Sequence, residues 1–234
     1  EAFVEGRQLD AHFLVFLGGD ADKALETEDL FLEEVDGGVE LHVFVEEAGA
    51  VEAEAFEFGG DGTAAPRQFA DLGFQTLARD RAPFGDRADI VRVHPEAYVA
   101  GIEAAAPTQG LAFLDGDTSM SPGTWDAVMH AVGGACLAVD EVMTGKSANA
   151  FVAMRPPGHH AETATPMGFC FFNNAAIAAR HAQSAHGAER VAIMDFDVHH
   201  GNGSAEIFRR DASVLFCSVH QAPLYPGSGA AADR

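Results

Sequence analysis

The chain has 234 residues, with 36 Asp and Glu against 14 Lys and Arg, a formal net charge of −22. That balance argues against direct nucleic-acid binding, which rests on basic residues at phosphates, and no apolar run nears the roughly 18 residues of a membrane helix, so no membrane partner is expected. The three cysteines, Cys136, Cys170 and Cys217, are separated and odd in number, which fits a reducing compartment and a cytoplasmic location better than a disulfide scaffold.

The charge is uneven along the chain. Residues 1–61 hold 18 of the acids against Arg7 and Lys23, a formal −16, and residues 62–234 carry only −6. Residues 1–66 are therefore expected to be an acidic segment distinct from the functional domain at 67–234. Strands are expected in it at 11–17 and 39–45, with a break in composition at 59–66. Further on, Val128, Ala131, Val132, Ala135, Val139 and Val142 recur at helical spacing and predict a helix over 124–143. Residues 149–154 read as a short buried strand stopped by Pro156 and Pro157. An alanine-rich helix is expected over 174–186, capped by Asn173 or Asn174 and stopped by Gly187. Strands at 191–197 and 213–218 follow. Alternating strands and helices predict an α/β class with a mainly parallel sheet covered on both faces.

The chemistry gathers at two places. Strand side chains alternate faces, so Asp195, Asp197 and His199 are expected on one side of the chain, just before Gly201 and Gly203. Two carboxylates and an imidazole beside a glycine turn suit a divalent metal. As core residues, each charge would need a buried partner. The second place is the pair His159 and His160, on a loop after 149–154, where open α/β sheets carry their sites. One such pair alone reads equally well as a loop with one solvated and one bonded ring; with His199-His200 there are two, each after an apolar strand, which are harder to attribute to chance.

Three runs carry a resemblance. Pro156-Pro157-Gly158-His159-His160-Ala161, Gly168-Phe169-Cys170-Phe171-Phe172-Asn173-Asn174 and Asp195-Phe196-Asp197-Val198-His199-His200-Gly201-Asn202-Gly203 together resemble the zinc-dependent histone deacetylase family, which includes the acetylpolyamine amidohydrolases. Ser121-Pro122-Gly123-Thr124-Trp125 and Leu224-Tyr225-Pro226-Gly227-Ser228-Gly229 are further matches, and the resemblance runs from about residue 82 to the last residue. It implies the arginase-deacetylase fold, a three-layer α/β/α domain with a mainly parallel sheet, incomplete here at the C-terminal side. It also implies a zinc-dependent amidohydrolase that removes acetyl groups from N-acetyl-lysine or related acetylated amines by metal-activated water.

The same resemblance implies site residues. Asp197 and His199 match zinc ligands, and His159 and His160 match the two active-site imidazoles. Asp195 matches the carboxylate that orients His159, and Asn202 stands where a partner orients His160. Which imidazole is base and which is acid stays open. Gly168 and Phe169 match the substrate channel; the alternative for Phe169 is a core aromatic. Cys170 is expected to pack near the site and not to act as a nucleophile. Asp115 or Asp117 is either a rim carboxylate for substrate or a turn carboxylate in an Asp-Gly loop. Potassium is implied beside the zinc at Asp195, Asp197, His199, Ser218 and Val219, with a second monovalent cation near Phe208, Asp211 and Val214.

The family's third zinc ligand, an Asp, and its oxyanion-stabilising Tyr fall after Arg234, since Tyr225 belongs to an earlier motif. The chain as it stands is therefore expected to be a fragment without activity of its own. Expected partners are acetylated lysine, polyamines or other small acylated amines, with oligomeric state left open. Two alternatives stand beside this reading: a non-catalytic member that binds acetylated or cationic ligands, and an acetylpolyamine-specific deacetylase. The binuclear manganese ureohydrolases share the fold but need more carboxylates than one Asp-x-Asp-x-His run offers.

Overall fold

The computed structural model describes residues 30–35, 38–47, 50–56, 78 and 80–230. The described residues fall into two compact units, one up to Asp80 and one from Arg81. In the first, β1 (Leu30–Val35), β2 (Gly38–Glu47) and β3 (Ala50–Phe56) form an antiparallel sheet in that order. The strand expected at 39–45 lies within β2; the one expected at 11–17 and the break at 59–66 lie outside the described residues.

The second unit runs α1 (Arg87–Ile90), α2 (Glu96–Ala105), β4 (Ala112–Phe113), β5 (Ser119–Met120), α3 (Thr124–Met143), α4 (Asn174–His186), β6 (Val191–Asp195), α5 (Asn202–Phe208) and β7 (Val214–Ser218). Both long helices match their predicted spans. The start of α4 is set by Asn173, whose extended backbone lets its side chain accept the Ala176 amide at 3.0 Å; such a cap contributes about 1 kcal/mol. Its end is set by Gly187, which takes a left-handed φ of 71° that a side chain would resist. Ala176, Ala178, Ala179 and Ala182 bury their small faces with Ala135 and Val139 of α3 and with Val191, Ile193 and Val214. Phe172 sits in a second cluster with Ile90, Val99, Met120, Val128 and Ile177. Beside it, buried His94 accepts the Asn173 amide at Nε2 (2.9 Å), so its proton is on Nδ1, which donates to the Thr163 carbonyl (3.0 Å). Burial lowers the His94 pKa to about 4.

β6 and β7 pair in parallel, from Val191 opposite Val214 to Asp195 opposite Ser218, with α5 in the connection between them. The class is mixed α/β as expected, but the sheets are small. Among the described residues β6–β7 is the one parallel pair, and β4–β5 is antiparallel. Two strand expectations need correction. Residues 149–154 form no strand and are not buried, with Phe151 56% exposed; a strand needs a neighbouring edge for its amides, which apolar composition does not supply. Here Val152 and Met154 instead lie over Gly134 of α3, within 3.5 Å of where a β-carbon would stand. The strand expected at 191–197 stops at Asp195. The Asp195 side chain accepts the Asp197 amide (3.2 Å) and the Asp197 side chain accepts the His199 amide (2.7 Å), and these turns bend the chain out of the ladder. No helix among the described residues is long and apolar enough to cross a membrane.

Candidate active site

The two turns after β6 keep Asp195 and Asp197 buried and hold His199 beside them. The histidine loop reaches the same place because α5 starts against it. The free amides of Gly203 and Ser204 donate to the His159 carbonyl at 2.9 and 3.2 Å, which satisfies donors that a helix start leaves over. Gly203 permits this approach, since a β-carbon there would overlap the Ala161 carbonyl oxygen.

Each imidazole is then fixed from behind. His159 Nδ1 donates to Asp195 Oδ2 at 2.9 Å, and His160 Nδ1 donates to Asn202 Oδ1 at 2.8 Å. With the proton on Nδ1, Nε2 of each ring is left as the lone-pair nitrogen. His159 Nε2 lies 3.9 Å from Asp197 Oδ1, and the two rings stand 3.9 Å apart between centroids. Burial lowers the pKa of His159 to about 3, helped by the nearby His199 and His200. Burial and His159 lower His160 to about 3 as well, against the pull of Asn202. Both rings are therefore neutral at neutral pH and able to accept a proton.

The donor set fits a zinc ion. Asp197 Oδ1 and His199 Nδ1 stand 3.2 Å apart, within hydrogen-bond reach of one another and close to the about 3.3 Å that separates two ligands on a tetrahedral zinc. Asp197 is buried, and imidazoles are its ion-pairing neighbours among the described residues. Burial accordingly raises its pKa, the signature of a carboxylate short of positive charge. Two other clusters of metal-ligand side chains among the described residues lie outside this site. Asp140 Oδ1 lies 2.8 Å from His181 Nε2 and 2.7 Å from His186 Nε2, hydrogen-bond distances that clamp α3 to α4. Cys136, grouped with Asp89 and His181, has its thiol pushed up to about 12 by burial and does not offer a thiolate.

The remaining expected residues divide. Gly168 has a φ of 56°, and a β-carbon on it would come within 2.5 Å of His160 Cδ2, so only glycine fits against the ring. Phe169 has a left-handed φ of 64°, which turns it out to 38% exposure while Phe171 and Phe172 fill the core; it is not a core aromatic. Cys170 is buried and its thiol donates to the Gly168 carbonyl. Asp117 Oδ1 accepts the Gly168 amide at 3.0 Å, next to the site. Asp115 accepts the amides of Asp117 and Thr118 and holds the turn. Ser218 and Val219 meet Asp195 at the β6–β7 end, where the Val219 amide donates to the Asp195 carbonyl. Phe208 is in the core, and the Asp211 carboxylate is held by Ser213 and Arg180.

Tyr225 is not among the expected site residues, yet its ring lies edge-on to His160 at 5.0 Å and to His199 at 6.1 Å. Its sequence signal is the Leu-Tyr-Pro-Gly-Ser-Gly match. His200 points elsewhere, with Nδ1 2.8 Å from Ser228 Oγ.

Residues 70–234 match the family described as the histone deacetylase domain. Histone deacetylase 14, chloroplastic, of Arabidopsis thaliana is 44% identical over 62% of this chain and 37% of its own length. A histone deacetylase-like amidohydrolase of Pseudomonas aeruginosa is 41% identical over 62% of this chain and 38% of its own. The crystal structure of the HDA15 HD domain superposes with a TM-score of 0.68 at 36% identity, covering 73% of this chain and 48% of that one. The chain thus spans less than half the length of these relatives. With the match covering both histidine runs and both aspartates of the site, the chain belongs to the histone deacetylase family.

Proposed function

We propose that this chain carries the histidine pair and two zinc ligands of a deacetylase that hydrolyses N-acetyl-lysine or a related acetylated amine. The observation that supports it most is the joint geometry of four side chains. Two neutral imidazoles, each backed at Nδ1, stand beside a carboxylate and an imidazole spaced as zinc ligands. Asp197 and His199 would hold the metal, with a third ligand, a carboxylate, supplied by the complete domain. When bound there, zinc supplies Lewis acidity that activates water and polarises the amide carbonyl. The His159–His160 pair takes the proton of the attacking water and delivers it to the departing amine. Asp195 favours the imidazolium of His159 while that proton is held. Phe169 and Tyr225 would flank the apolar stem of the substrate, with Gly168 and Asp117 at its side. Potassium at the ends of β6 and β7, near Asp195, Asp197, His199, Ser218 and Val219, belongs to the same reading.

The reading extends to the three-layer α/β/α sandwich. Met194 and Leu215 share one face of the β6–β7 pair, and Leu215 is 62% exposed; a covering layer in the complete domain would bury them. A cytoplasmic location rests on the three separated cysteines.

The test is steady-state hydrolysis of acetyl-lysine peptides and acetylated polyamines by the complete protein. Release of acetate, lost by at least about 100-fold in His160→Ala, supports the assignment. Undiminished turnover in that variant overturns it, and tight binding with no turnover of either substrate replaces it with a binding-only role.

A further inference from the structure

Asn202 backs His160 with an amide, not a carboxylate, and an amide has two ends. If its oxygen faces His160 Nδ1, that nitrogen must carry the proton and Nε2 keeps its lone pair. If its nitrogen faces His160, Nδ1 must accept, Nε2 carries the proton, and the ring cannot take another from water. Something has to choose between the two orientations. The far end of the amide meets two groups that only accept: Glu162 Oε1 at 2.9 Å and Met167 Sδ at 3.3 Å from Asn202 Nδ2. Turning the amide over would set its oxygen against the Glu162 carboxylate.

We propose that Glu162 is a positioning residue for the deacetylation reaction: by holding Asn202 Nδ2 it orients the amide and so fixes His160 as the Nδ1–H tautomer. Resting on the reading of His160 as an active-site imidazole, the inference adds a residue that touches neither substrate nor metal ligand. The surroundings keep Glu162 in place. Its amide donates to the Thr165 carbonyl at 3.1 Å. The next residue, Thr163, is tied through its amide and hydroxyl to Glu206 Oε2 at 3.0 and 2.6 Å, on the helix that begins with Asn202. Glu162 and its target are thus held by one local frame. A charge-assisted bond of this kind favours its orientation by roughly 10- to 100-fold.

The experiment uses the complete, zinc-loaded protein with 15N-labelled histidine, and reads the imidazole nitrogen shifts of His160 together with kcat and KM. Wild type is expected to show one tautomer, with the proton on Nδ1. Glu162→Ala is expected to show a mixture and to lose about 10-fold or more in kcat with KM nearly unchanged; Glu162→Gln, which keeps the shape, serves if the alanine variant does not fold, and loses less. The Asn202→Asp background separates positioning from packing. A carboxylate accepts at both oxygens, so orientation no longer matters, and Glu162 becomes a like-charged neighbour. There, Glu162→Ala is expected to raise activity or leave it level. A single unchanged tautomer in Glu162→Ala, or an equal loss in both backgrounds, overturns the proposal. The tautomer reading does not need turnover, so an inactive wild type would sink the proposed function and leave this inference standing or falling on the spectra.

Discussion

Gly201→Ala is a sharp test of the His159–Asp195 pair, because the backbone does not object to it. Gly201 has a φ of −74° and a ψ of 68°, an inverse γ-turn conformation that is open to alanine. The space does object. A β-carbon at 201 would overlap Asp195 Oδ2 and lie 3.2 Å from His159 Nδ1. Carbon and oxygen normally approach no closer than about 3.3 Å, so the carboxylate oxygen must withdraw by about 1 Å. The Nδ1–Oδ2 distance of 2.9 Å has no such slack, and the hydrogen bond is lost or badly bent. A bond to a charged group contributes about 1.5–3 kcal/mol, which corresponds to a kcat loss of roughly 10- to 100-fold if it holds His159 for proton transfer. Overpacking should also cost about 1–3 kcal/mol of stability. The assay is kcat and KM for an acetylated-amine substrate with urea denaturation of the same samples. A stable variant with unchanged kcat would refute the claim that this pair orients the reacting ring.

Other outcomes follow from the same geometry. Gly168→Ala meets both a left-handed φ and the His160 ring, so it is expected to lower stability by about 2–4 kcal/mol and to abolish turnover; denaturation curves matching wild type would contradict this. Asn173→Ala removes the α4 cap and the side-chain bonds to the Ala161 carbonyl and Ser204, with an expected loss of about 2–3 kcal/mol by urea titration. The His94 pKa is lowered by burial to about 4 from an ordinary 6.5. The unfolded chain therefore binds the proton first as pH falls, and the stability present above pH 6.5 drains away between there and pH 4. Between pH 7 and 5 the loss from this one ring is about 2 kcal/mol. His159 and His160, also lowered by burial, add to the same window, so His94→Gln should reduce the slope there without abolishing it, and an unaltered slope would contradict the assignment to His94.

The sequence was most legible where local chemistry decides the structure. The ends of α4 were readable because an Asn cap and a Gly stop act within a few residues. The helix at 124–143 was readable because its apolar face repeats over five turns. The strand ending at Asp195 is two residues shorter than alternation predicts, because alternation says where side chains point and not when a carboxylate captures the next amide. Residues 149–154 misled because a strand is a property of two chains of backbone, and apolar composition reports only one. In the site, the pairing of His159 with Asp195 and His160 with Asn202 followed the resemblance, whereas the contacts of Tyr225, Asp117 and Glu162 depend on loops closing across 40 or more residues. His94, buried between two backbone groups, carried no pattern that separates a core histidine from a functional one.

Whether Asp197 and His199 hold a zinc ion at which an acetylated amine is hydrolysed is tested by metal content and acetate release in the complete protein, with Asp197→Ala beside wild type. The proposed zinc site predicts one zinc per chain with turnover in wild type, and loss of both in the variant. Two manganese ions per chain, or full turnover in Asp197→Ala, would contradict it.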